Sequence, residues 1–319
     1  MNTYKWLLKR EFWEHKGGFF WAPAIASAIY LAFSVIGSFV AHSLVTNGHV
    51  NGDSINMSTL AMQAADPAHA ADLAGALQAT FQIISLPPLI VTVFVVFFYC
   101  LGCLYDDRKD RSFLFWKSLP VSDGATVLSK LASAALVAPL IGVGIALVTG
   151  LLFFMLTSAF VVAHGASAMP LWNIGSIAAG AANMVLSIPV WGLWAMPTIG
   201  WLMLCSSWSN RMPFLWAVLA PVLLGAIIAI VDVMPWFGLN NGWYWANVPG
   251  RLLGGTIPGM EMAYRHTGVT IHGPQDLAHV FSLSNSYAGL ANPQLWIGVL
   301  VGAAMILLAL RMRKYRAED

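Results

Sequence analysis

The sequence predicts an all-α polytopic membrane protein with six transmembrane helices, and three observations carry that reading. Hydrophobic residues make up 58% of the 319-residue chain and charged residues only 9%, against roughly 25% charged in soluble domains. The apolar residues come in uninterrupted runs, and a run of about 20 spans the hydrocarbon of a bilayer. The basic residues fall between alternate runs, on one side of the sheet of spans that the runs define. In lipid each backbone segment must satisfy its own hydrogen bonds, so the runs are helices. The alternating decapeptides of a transmembrane barrel are absent.

Six segments meet the length test: 19–45, 80–104, 126–162, 174–208, 214–234 and 293–310. The third and fourth exceed what one crossing needs, so tilt or projection beyond the membrane is expected. Pro87 and Pro88 should kink the second span, and Pro189 and Pro197 the fourth, by removing backbone donors. Gly298 and Gly302 form a GxxxG that permits close helix contact in the sixth.

Lys5, Lys9, Arg10 and Lys16 precede the first span, and Arg108, Lys109, Arg111, Lys117 and Lys130 lie around the connection of the second to the third. Arg211 joins the fourth to the fifth, and Arg311, Arg313, Lys314 and Arg316 follow the sixth. Of the 16 basic residues only Arg251 and Arg265 fall on the other side. The positive-inside rule then places both termini in the cytoplasm and requires an even number of spans. The expected location is the inner (cytoplasmic) membrane.

The chain divides into an amphipathic N-terminal helix (1–18), a six-helix transmembrane domain (19–310) and a basic cytoplasmic tail (311–319). In "MNTYKWLLKREFWEHKGG", Tyr4, Leu8 and Phe12 share one helical face and Lys5, Lys9 and Lys16 another. Trp6 and Trp13 stand seven apart, as interfacial anchors at the headgroups of membrane lipids. Gly17 and Gly18 should end this helix. The apolar run that follows is too long for the core of a cleaved signal peptide. The last outer loop, 235–292, is long and aromatic; Trp236, Phe237, Trp243, Tyr244 and Trp245 suit a subdomain resting on the outer leaflet better than a lining for substrate.

The net charge of +2 gives no reason to expect nucleic-acid binding. Cys100 and Cys103 form a CxxC at the apolar end of a span with no second ligand pair, so no metal site is expected. His164, His266, His272 and His279 are scattered without metal spacing, and no nucleophile elbow occurs. A proton- or sodium-driven secondary transporter would carry ionisable residues near mid-membrane. Here the candidate is Asp232, at the outer end of the fifth span.

The one dense charge cluster is "LYDDRKDRSFLFWKSLPVSDG", 104–124. Within this 105–123 loop, Asp110 and Ser112 can begin a short helix, Phe113, Trp116 and Leu119 recur along one face, and Pro120 ends it. Ser122 or Asp123 can cap the third span. An aromatic knob is costly in water unless covered. It folds back on the membrane or enters a cleft on a partner, and burial favours both equally.

This loop resembles that of the permease subunits of type-2 ABC transporters. It shares acid and base residues leaving the second span, an apolar helix, then "SLPVS" and a lysine, Lys130 in "SKL". The plan of an amphipathic N-terminal helix, six spans and a long last outer loop is similar too. It departs from the family in "DDRKDRS", where a Glu-rich stretch and glycine are usual, and in Asp123, where a base is common. The resemblance implies that 110–119 is a cytoplasmic coupling helix docking on a separate ATPase subunit. The coupling residues would be Asp110, Phe113, Leu114, Phe115, Trp116 and Leu119, flanked by Asp106, Asp107, Arg108 and Arg111. It implies a homodimer or pairing with a related permease, and export of an apolar or amphipathic cargo by alternating access. The chain has no Gly-rich phosphate loop ending in Gly-Lys-Ser or Gly-Lys-Thr, so ATP and magnesium would sit on the partner and this chain is no enzyme itself. The alternative is an ATP-independent secondary transporter or channel.

Overall fold

A computed structural model describes residues 3–46, 67–110, 121–163, 167–232, 241–257 and 282–315. Among them every regular element is helical. In chain order these are α1 (Thr3–Glu14), α2 (Ala22–Thr46), α3 (Pro67–Ile84), α4 (Leu86–Gly102), α5 (Tyr105–Lys109) and α6 (Asp123–Ala132). There follow α7 (Ala138–Ala163), α8 (Ile174–Leu186), α9 (Ile188–Trp208), α10 (Pro213–Asp232), α11 (Asn241–Asn247) and α12 (Pro249–Gly254). Last come α13 (Leu283–Ala288) and α14 (Pro293–Tyr315).

Six helical runs are long and apolar enough to cross a membrane: Gly17–Val40, Asp72–Lys109, Asp123–Ala163, Met169–Trp208, Pro213–Asp232 and Pro293–Lys314. The chain is a multi-pass membrane protein. The second, third and fourth runs hold 38, 41 and 40 residues, about 60 Å of helix at 1.5 Å per residue, twice the hydrocarbon thickness. Extra length was expected of the third and fourth; the second gains it because the Ala-rich stretch before it is helical as α3 and runs into α4 with one interruption at Ser85.

That interruption corrects the expected kink. Pro87 and Pro88 stand in the first turn of α4, and Pro189 in the first turn of α9, after a break at Ser187. Proline is tolerated there because the first N–H groups have no helical acceptor anyway. Pro197 and Pro221 are true interior prolines. Pro221 deprives the Ala217 carbonyl of its helical donor, and the indole Nε1 of Trp201 donates to that oxygen at 3.0 Å.

Gly17 and Gly18 do not end a helix either. They open a π turn, Gly17–Trp21, that passes directly into α2. The third span contains a second π turn, Ser133–Val137, between α6 and α7. The Ser122 hydroxyl caps α6, accepting from the Ala125 N–H at 3.2 Å, as expected of Ser122 or Asp123.

Three apolar clusters are buried in the bundle among the described residues, a small one around Val190, Trp194 and Leu295 and two larger ones. One lies towards the end that carries both chain termini and gathers Phe19, Val96, Cys100, Val127, Ile199, Leu202, Met203, Ile306 and Ala309. The second lies at the far end, where α3, α7 and α8 meet around Phe81. Gly150 and Gly180 bring their backbones close to its ring, at contacts a side chain would fill. The heaviest packing joins α9 to α14. There Gly200 faces Gly302, and a Cβ on Gly302 would meet the Met196 carbonyl at 2.5 Å, so one glycine of the GxxxG serves contact within the chain.

Candidate functional site

The terminal end of the bundle holds a buried ion network built from five elements. Lys130, in α6, is 1% exposed, and its ammonium lies 3.2 Å from the Glu11 carboxylate of α1 and 3.4 Å from that of Asp107 in α5. Arg313, near the end of α14, reaches Asp107 at 3.3 Å and Asp123 at 3.4 Å. Glu11, 0% exposed, is held further by Arg10 at 2.6 Å and by the Tyr99 hydroxyl of α4, which donates to it at 2.8 Å. Isolated buried charges are very costly, and such pairs survive only when each ion is compensated. Burial alone would raise the Glu11 carboxyl; Lys130, the Tyr99 hydroxyl and Arg10 outweigh it and hold Glu11 below its ordinary value.

Sequence reasoning missed Glu11. The face taken as apolar ran through Tyr4, Leu8 and Phe12; Phe12 packs against the core, but Leu7 and Glu11 are the fully buried residues of α1 and Tyr4 is exposed. A lone glutamate among lysines on an amphipathic helix looks solvated. The available signal was Lys130, a charge just inside an apolar span, which demands a partner.

Arg108 makes a second fastening. Its guanidinium donates to the Ser206 carbonyl at 2.5 Å and the Ser209 carbonyl at 2.9 Å. These are oxygens at the C-terminus of α9, where a cation is favoured by the helix dipole. The Ser206 hydroxyl in turn accepts from the backbone N–H groups of Leu104 and Tyr105, at 3.1 and 2.9 Å. The end of the second span is thereby tied to the end of the fourth.

The expected coupling residues therefore divide. Asp107 and Arg108 point into the bundle and bind its helices, while Asp106 and Asp110 are exposed beside them. Arg111, Phe113, Leu114, Phe115, Trp116 and Leu119 lie outside the described residues. Asp110 follows the last residue of α5 instead of beginning a helix. Trp6 and Trp13 are both exposed, each with a lysine over its ring, Lys9 at 5.1 Å and Lys16 at 4.9 Å.

Within 235–292, α11 and α12 pack against the fifth and fourth spans, and Arg251 of α12 reaches Gly298 of the sixth, while Trp243 and Trp245 are exposed. The Tyr244 hydroxyl donates to the Pro221 carbonyl at 2.8 Å, and Gly225 gives room to the rings of Tyr244 and Trp245. Thr198, midway along α9, donates to the Arg251 carbonyl at 2.8 Å and accepts from the Gly255 N–H at 3.1 Å. Arg251 is 7% exposed, with its guanidinium 4.1 Å from the Trp194 ring centroid. A Cβ on Gly298 would collide with that guanidinium. The other GxxxG glycine thus makes space for a buried cation. Gly298 is five residues inside α14, about 8 Å along the helix from its first residue, so a charge assigned to a loop packs against the body of the sixth span. Trp236 and Phe237 lie outside the described residues.

Glu11, Glu14 and His15 place possible ligand atoms within 4.8 Å of one another. Both carboxylates already hold cations, Glu14 through Arg10 at 3.4 Å, which leaves poor donors for a metal. Cys100 and Cys103 are free thiols buried in the core. His164, His266, His272 and His279 lie outside the described residues. No protein-family model, curated protein or solved structure matches the chain.

Proposed function

We propose that this chain is the membrane-spanning permease subunit of an ATP-driven exporter of the type-2 ABC kind. It works as a homodimer or with a related permease, its termini in the cytoplasm. A separate ATPase subunit, binding ATP and magnesium, docks on the coupling helix within 105–123. The cargo is apolar or amphipathic and moves by alternating access.

One observation carries the reading: both roots of the 111–120 segment are fastened to the bundle by ion pairs, buried on one side and half-buried on the other. On one side Asp107 joins Lys130 and Arg313, and Arg108 joins the end of α9. On the other, Asp123 joins Arg313. A segment so rooted passes a push directly to the second, third, fourth and sixth spans, and through Glu11 to α1. A merely solvated loop has no use for such roots, since each ion drawn out of water brings a desolvation cost.

Trp116→Ala and Phe115→Asp test this. Both should abolish co-purification of the ATPase and its stimulation, while the thermal unfolding of the purified chain stays unchanged. Survival of both activities in both variants would remove the coupling helix from the account. A second reading, an ATP-independent secondary transporter, is favoured by Arg251 alone, because an ionisable group at membrane depth commonly marks a transport path. Transport in vesicles that needs an ion gradient and no nucleotide would select it.

A further inference from the structure

The ion network gives both of its central cations a spare partner. Lys130 lies between Glu11 and Asp107, and Arg313 between Asp107 and Asp123. Asp107 is the member common to both, and it stands on α5, which ends at Lys109, just before 111–120 in the chain. Its side chain is 15% exposed, whereas Glu11 is sealed at 0%. Glu11 also has the shorter contacts, with Arg10 and Tyr99 as well as Lys130.

We propose that Asp107 is the releasable member of this joint, a clutch that lets the root of the 111–120 segment move without stranding a buried charge. When the segment is pulled, Asp107 leaves Lys130 and Arg313 together. Lys130 stays neutralised by Glu11, and Arg313 by Asp123. The movement therefore escapes the large penalty that normally freezes a buried ion pair. Glu11 and Asp123 are the fixed seats, so α1, which brings Glu11, holds Lys130 neutral while Asp107 moves. This deepens the coupling reading and rests on it for the source of the pull; the joint itself is independent of what does the pulling.

Cys103 reports on the joint. It lies one helical turn before Asp107, buried, with its thiol in the field of Lys130, Glu11, Asp107 and Arg313. The full-length chain in lipid nanodiscs is treated with N-ethylmaleimide, and modification of Cys103 is followed by peptide mass spectrometry. Asp107→Asn should raise the Cys103 rate several-fold and leave Cys205 unchanged, with a thermal midpoint close to the parent's. Glu11→Gln should lower the midpoint far more. An unchanged Cys103 rate in Asp107→Asn, a midpoint as low as that of Glu11→Gln, or a variant that fails to fold would each overturn the clutch. In inverted vesicles from cells producing the whole complex, ATP with magnesium should speed Cys103 modification in the parent and not in Phe115→Asp. A joint that opens in Asp107→Asn yet ignores nucleotide would leave the clutch standing and remove the ATPase from the account.

Discussion

Glu11 and Lys130 come from residues 119 positions apart, and neither is tolerable at its depth without the other. Glu11→Gln leaves the buried ammonium with the more exposed Asp107 and removes the charge that holds Arg10, so it should cost about 3 kcal/mol, the lower end for a broken buried pair. Lys130→Met should cost a similar amount, and the double replacement less than the sum of the two, because no charge is then left unpaired. Thermal unfolding in a single detergent measures all three. The same carboxyl sets an acid limit. Its value in the folded chain is below the ordinary 4.5, so its contribution is full above that ordinary value. The contribution is lost as pH falls from there through the lowered folded value. An unfolding midpoint followed downward from neutral pH should hold level and then fall in that acid window, and Glu11→Gln should flatten the fall. At this scale the sequence was only partly legible. Ser122 announced itself as a cap because a hydroxyl before a helix has one obvious use. Glu11 did not, because its partners Tyr99 and Lys130 are brought by two other elements.

Whole helices were easier to see than their joints. An apolar run of membrane length has few other uses, so all six spans were visible in the sequence. The helical extension α3 was not counted as part of the second span, because Ala-rich sequence with Asp72 and His69 fails an apolarity test while remaining a good helix former. Prolines announced a disturbance in the second and fourth spans, yet composition does not distinguish an interior kink from the first turn of a new helix. The packing of α11 and α12 against the spans was invisible. Their Gly, Trp and Tyr residues suit an interfacial subdomain equally well, and only Gly298 and Gly225 betray the backbones and rings that approach them. Gly298→Val should drive the Arg251 guanidinium from its seat on Trp194. Hydrogen exchange in 241–257 should then accelerate by at least about tenfold, the effect of about 1.4 kcal/mol on a local opening equilibrium. The terminal-end core should keep its protection. Equal acceleration across the first-span core would mean that the hairpin is an integral wall of the bundle instead of a separately docked element.

The whole molecule is a bundle with charge concentrated at one end and a buried cation near the other. At the terminal end, α1 and four of the six spans are joined through ions and helix-end carbonyls, and the fifth follows the fourth through a turn in which Met212 adopts φ 50°. That left-handed residue keeps the connection tight. The orientation proposed for the bundle rests on the basic residues and the positive-inside rule, and the proposed motor on the resemblance of the 104–124 stretch. What stands to be tested most directly is whether that stretch grips a second protein. A photo-crosslinking residue placed at Trp116 of the full-length chain, activated in living cells, captures whatever touches the segment. The account predicts an adduct with a polypeptide that carries a nucleotide-binding phosphate loop, and loss of that adduct when Phe115→Asp is added. Capture of lipid alone, or of a second copy of this chain and nothing else, would contradict it.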